Sequence, residues 1–257
     1  MRPNVKIKVI SLESSISRRN SISRQFEQIE TPFDFFDAVT PKDALHHIKR
    51  YDEREFFRNC GRYATETEIA CYASHLALWR QCSAEGVPYL ILEDDAKLAS
   101  NFLTGMLVVA SQIRKLGFIR ISLPRIKTAL LIDQVGPFDI QYCRRAPLLA
   151  LGYAVAPHSA KGLTYASSVM EEPVDKFMQR FWRHGQPVYA LAPPVVELAQ
   201  VASDSDIGAR ARHEFGFRVW MLRASRKAQN STQRQFYNLK FIGSRMKTEI
   251  RETNRIA

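Results

Sequence analysis

The sequence predicts an α/β fold, a mostly parallel sheet flanked by helices, with a basic helical tail behind it. Three observations carry that expectation. Short apolar runs bounded by Pro, Gly or charged residues alternate with stretches of helical period over the first two hundred residues. That is the pattern of strand and helix units in a parallel sheet. The 257 residues are 46% hydrophobic, enough for one sizeable core with an appendage. Charge is segregated, because residues 209–257 hold twelve Lys or Arg against three Asp or Glu, nine of the eleven net positive charges. The expected division is therefore a body of residues 1–208 and a tail of residues 209–257.

Each element has its own signal. Residues 5–12 alternate as a first strand, closed by the polar turn 13–19, and a helix follows to about residue 29. Residues 31–39 read as a second strand, stopped by Thr40 and Pro41, and residues 42–64 as short helices and loop. Thr65 with Glu68 three positions on is a capping-box start. The helix it opens carries Ile69, Tyr72, Leu76 and Trp79 on one face, until Gly86 and Pro88 break it. Residues 89–92 are a buried strand, residues 100–116 an amphipathic helix stopped by Gly117, and residues 118–123 a further strand ended by Pro124. Residues 125–145 suggest a meander, 148–157 a buried strand, 158–168 a short helix, 172–177 the start of another, and 187–191 a last strand.

Composition removes several classes of function. No uncharged stretch reaches the roughly 20 residues of a membrane helix. The chain opens on Met1, Arg2, Pro3 and Asn4 and enters a strand without an apolar leader, so the cytoplasm is the expected location. Cys60, Cys71, Cys82 and Cys143 form no C-x-x-C pair and no Cys/His cluster of structural-zinc spacing, and read as buried thiols.

The chemistry concentrates in Glu93, Asp94 and Asp95, which follow the apolar run Tyr89 to Leu92. Three adjacent carboxylates repel one another unless a cation neutralises them. Alternation along a strand sends Glu93 and Asp95 one way and Asp94 the other. Two oxygen ligands on one side suit Mn²⁺ or Mg²⁺, at the strand ends where open α/β sheets take ligands. A solvated acidic loop is the plain alternative.

Several blocks together resemble glycosyltransferase family 25, the lipopolysaccharide and lipooligosaccharide galactosyltransferase group. They are Val9 to Leu12 with Ser17, Arg18 and Arg19; Asp37, Ala38 and Val39; the run from Glu68 through Ser74, His75 and Trp79; and Ile91 through Ala96. Further blocks are Gly152 to Ala156, Ala160 to Leu163, Pro173 to Asp175, and Ser203 to Ile207. Two positions depart: Ala70 stands where the family usually has Gly, and Thr40 and Pro41 follow Val39 where Asp-Gly is common.

The resemblance implies a GT-A-like nucleotide-binding domain, a UDP-sugar donor, and inverting transfer of a hexose, galactose by the family's habit, to a lipid-linked oligosaccharide acceptor. On that expectation Glu93 and Asp95 hold the metal and Asp94 faces ribose or donor sugar. Leu12 and Ser14 edge the base and ribose, Arg19 meets phosphate, and Ala38 packs on the uracil with Val39. His75 supports the donor or the metal strand, its rival role being a core histidine. Asp175 is the expected base, with Glu172 as fallback and a helix cap as the competing reading of Asp175. Gln200, Ser203 and Asp204 close the phosphate site.

The basic tail intersperses Met221, Leu222, Phe236 and Leu239 among its charges, which suits a peripheral helix on the anionic inner face of the cytoplasmic membrane. No nucleic-acid-binding motif accompanies the charge, so no specific nucleic acid is expected. A metal-dependent phosphohydrolase shares the acidic triplet but calls for a second acidic or histidine cluster.

Overall fold

The computed structural model describes residues 5–122, 128–199 and 217–256, with the side chains of the last helix described from 221 to 244. β1 (Lys6–Ser11) leads into α1 (Ile16–Gln28), and β2 (Asp34–Asp37) lies parallel beside β1, with Val9 opposite Phe35. The segment without period resolves into α2 (Ala44–His47), β3 (Arg50–Tyr51) and α3 (Glu53–Cys60). α4 (Glu66–Glu85) starts at the expected capping box: Thr65 Oγ1 accepts from the Glu68 N–H, and the Glu68 carboxylate accepts from the Thr65 N–H. Gly86 ends it at φ 69°, a left-handed position that glycine adopts without steric cost.

β4 (Tyr89–Glu93) and β5 (Ala96–Leu98) follow, then α5 (Phe102–Leu116) and β6 (Phe118–Arg120). The meander is a hairpin of β7 (Ala129–Val135) and β8 (Phe138–Cys143). β9 (Gly152–Val155), α6 (Pro157–Ala166), β10 (Val169–Met170), α7 (Val174–Gln179), α8 (Phe181–His184), β11 (Tyr189–Ala192) and β12 (Val196–Leu198) complete the body.

The main sheet has eight strands in the order β2-β1-β4-β9-β6-β11-β8-β7. β1 runs parallel to both β2 and β4, so Ser11, Asp37 and Glu93 open at one edge. β6 and β11 are also parallel to each other, whereas β9, between β4 and β6, and the β7–β8 hairpin run antiparallel to their neighbours. Two apolar layers cover the sheet. Tyr72, Leu76, Trp79, Leu163, Phe177 and Phe181 pack on one face, and Ile22, Phe26, Met106, Val109 and Ile113 on the other.

The tail is one helix, α9 (Phe217–Ile256), and the body holds it. Asn238 is buried, accepting from Tyr142 Oη at 2.7 Å and donating to Arg144 O at 3.0 Å. Phe241 stacks on the Tyr142 ring at 4.2 Å between centroids, and Tyr237 Oη donates to Gly185 O at 2.9 Å. The junction at 208–209, the block Ser203 to Ile207, and Gln200 lie outside the described residues. No helix among the described residues is long and apolar enough to cross a membrane.

Candidate active site

β4 stops at Glu93, and Asp94 and Asp95 form the two-residue turn into β5. This corrects the expected alternation, which holds only while the backbone stays extended. All three carboxylates line one cavity of about 180 Å³, walled by the β1–α1 loop, residues 38–41 and α4.

The three differ in what surrounds them. Asp94 accepts from Ser11 Oγ at 2.6 Å and lies 3.4 Å from Arg18. Asp95 has a buried Oδ1 with no hydrogen-bond partner, and burial, then the charges of Glu93 and Asp94, push its carboxyl up to about 6. Glu93 Oε1 lies 3.4 Å from His75 Nε2.

His75 is fully buried. Trp79 Nε1, which can only donate, gives its proton to Tyr153 Oη at 2.9 Å, and Tyr153 Oη lies 2.8 Å from His75 Nδ1. With the tyrosine proton donated to Nδ1, the imidazole proton sits on Nε2, which lies near Glu93 but makes no hydrogen bond among the described residues. A chain of buried groups thus runs from α4 through β9 to the end of β4.

Leu12, Ala38, Val39 and His75 line the cavity as expected, and Ser14 does not; its neighbour Ser15 does. Ser74 Oγ accepts from the Val39 N–H at 2.9 Å and donates to Ala70 O, tying the loop after β2 to α4. Arg19 departs from its expected place. Its guanidinium donates to the carbonyls of Leu12 and Ser11, pairs with Asp37 and lies over the Phe35 ring. It braces the loop, while Arg18 faces the cavity, since consecutive helical residues point about 100° apart.

Asp175, in the first turn of α7, is half-buried and accepts from the Lys176 N–H at 2.7 Å. It is not in the cavity wall, but its charge reaches Cys71, which is, and Arg120. Glu172 is 1% exposed and clamped by Arg180 at 3.0 Å and Arg183 at 3.2 Å. A carboxylate so enclosed braces two helices and has no room to meet a substrate hydroxyl.

Residues 4–135 match glycosyltransferase family 25 (LPS biosynthesis protein). A protein described as lacto-N-neotetraose biosynthesis glycosyltransferase LgtB, from Neisseria meningitidis serogroup B, is 30% identical over 200 residues, 72% of each chain. The chain belongs to glycosyltransferase family 25. Over shorter spans this family 25 member is 41% identical across 95 residues to the lipooligosaccharide biosynthesis protein lic2B of Haemophilus influenzae, 36% of this chain and 34% of that one. It is 40% identical across 94 residues to LgtB of Neisseria gonorrhoeae, 36% of this chain and 33% of that one. The matched region is thus about a third of those last two relatives.

Among the cavity residues given no site role in the sequence reading are Ser11, Arg18, Ser74 and Cys71. Cys71, His75 and Glu93 each bring one donor atom within 4.8 Å of the others, a grouping that the search for structural-zinc spacing did not anticipate. Their signal was the four-residue spacing of Cys71 and His75, one helical turn. All four cysteines are free thiols.

Proposed function

We propose that this family 25 member transfers a hexose, galactose being the leading candidate, from a UDP-sugar to a hydroxyl of a lipid-linked oligosaccharide, with inversion. The observation that carries the reading is the acidic turn at the end of β4, where, among the described residues, the buried Asp95 Oδ1 has no hydrogen-bond partner and Arg18, paired with Asp94, is the one arginine in the cavity wall beside three carboxylates. An all-oxygen set that is short of positive charge fits Mn²⁺ or Mg²⁺. Glu93 and Asp95 are the residues that would hold the ion, which when bound supplies Lewis acidity toward a diphosphate.

The chain's own groups do the rest. Ala38, Val39 and Leu12 offer an apolar slot for the base, and the backbone of that slot is fixed by Ser74. Arg18 stands at the cavity wall, able to leave Asp94 for a phosphate oxygen. Asp175 takes the proton of the acceptor hydroxyl as that oxygen bonds to the anomeric carbon. The bond from that carbon to the diphosphate oxygen breaks, and the electron pair leaves with UDP.

The test is a thermal-shift panel of UDP-sugars with and without Mn²⁺, repeated on Asp95→Ala. Metal-dependent stabilisation by one UDP-sugar, lost in the variant, is the expected result; stabilisation that survives removes Asp95 from the site. Release of inorganic phosphate from the same mixtures would point instead to a phosphohydrolase.

Among its charges α9 exposes Met221 (52%), Leu222 (49%) and Leu239 (71%), the composition of an interfacial helix. On this reading the protein sits peripherally on an anionic leaflet, where its acceptor is anchored. Vesicles with anionic lipid are expected to recover the protein, and the triple Ser variant at those positions to stay in solution. Equal recovery of both would discard the membrane role.

A further inference from the structure

A second and larger cleft, about 500 Å³, opens between α9 and the α7–α8 segment. We propose that it seats the acceptor oligosaccharide, an inference that rests on the glycosyl-transfer reading and adds a site to it. Its chemistry differs from that of the acidic cavity. The arginines on its walls are already matched: Arg183 holds Glu171 and Glu172, Arg180 holds Glu172, and Arg226 pairs with Glu55.

What remains available is a set of amides, an aromatic ring and one lysine. The side-chain amides of Asn230 and Gln233 face the cleft and have no hydrogen-bond partner among the described residues. Phe236 is 71% exposed, and Lys240 stands at the side without a carboxylate partner among the described residues. Amides that both donate and accept suit sugar hydroxyls, an open aromatic face suits the C–H side of a pyranose, and a lone ammonium suits a phosphate or carboxylate substituent.

Position strengthens the case. Glu171 is in the cleft wall and Asp175 follows four residues later, a stretch that spans at most about 14 Å. The charge of Asp175 reaches Cys71 in the wall of the acidic cavity. A saccharide lying in the cleft can therefore extend its last residue past α7 toward Asp175, where its hydroxyl would give up a proton.

The test uses the full chain, a pool of oligosaccharides released from lipooligosaccharide by mild acid, and saturation-transfer NMR. The double variant Gln233→Ala with Phe236→Ala alters exposed side chains and leaves the fold intact. The wild type is expected to bind members of the pool, and the variant to bind them at least about tenfold more weakly. UDP binding, measured on both in parallel, is expected to be the same. Wild-type affinity in the variant, or no binding of the pool by a wild type that binds UDP, would overturn the cleft assignment alone. Failure of the wild type to bind UDP as well would overturn the transferase reading on which it rests.

Discussion

The acidic cavity and the α9 cleft treat charge in opposite ways. Each arginine that lines the cleft, Arg180, Arg183 and Arg226, has a glutamate partner. In the cavity Arg18 pairs with Asp94, and among the described residues a buried carboxylate oxygen of Asp95 has no hydrogen-bond partner. Both regions are built on the same domain, so the difference is local design. Matched buried charge holds elements in register, whereas unmatched buried charge costs stability and persists where a ligand makes up the deficit.

Substitutions can break that contrast, the largest effect being expected in the cavity. Asp95→Ala should lower transfer by about 100-fold or more, yet leave the melting temperature unchanged or raised, because it removes a buried, unpaired carboxylate. A parallel loss of activity and stability would mean that Asp95 is matched after all. Glu172→Gln should do the reverse. It strands Arg180, itself 5% exposed, and denaturant unfolding should show a loss of about 3–5 kcal/mol. UDP binding should be retained at temperatures where the variant is folded.

Tyr153→Phe sharpens the comparison at the cavity floor. It leaves the Trp79 indole N–H without an acceptor and frees His75, at a cost of about 2–3 kcal/mol in the same unfolding assay. Donor affinity should weaken several-fold as Glu93 loses its fixed neighbour; unchanged affinity would reduce the chain of buried groups to a packing device. On the cleft side, His184 is neutral because burial pulls it from 6.5 down to about 4. A value lowered in the fold means that its contribution is complete above 6.5 and is lost as pH falls toward 4. Stability should drop by about 2 kcal/mol between pH 7 and pH 5 from this group, and His184→Gln should flatten that part of the profile.

Local signals were legible in the sequence and long-range ones were not. The capping box at Thr65, the helix breaks at Gly86 and Gly117, and the apolar run ending in three carboxylates each depend on neighbouring residues, and each was found where expected. Ser14 and Arg19 were misplaced because the direction of a side chain leaving a tight turn depends on backbone angles that composition does not reveal. Cys71 could be joined to Glu93 only by knowing that α4 lies across the end of β4. The basic tail hid a further contact, since nothing in its sequence says that Asn238 is a partner of Tyr142.

That contact has a consequence for the order of events in synthesis. Tyr142, on β8, is covered by a residue 96 positions later in the chain. A polypeptide emerging from the ribosome presents β1, β2 and β4, and then β9, which pairs with β4, well before it reaches α9. The antiparallel edge has an aromatic surface bare until residues 238 and 241 arrive. The half that holds the acidic cavity is thus able to form early, and the other half waits for the last helix.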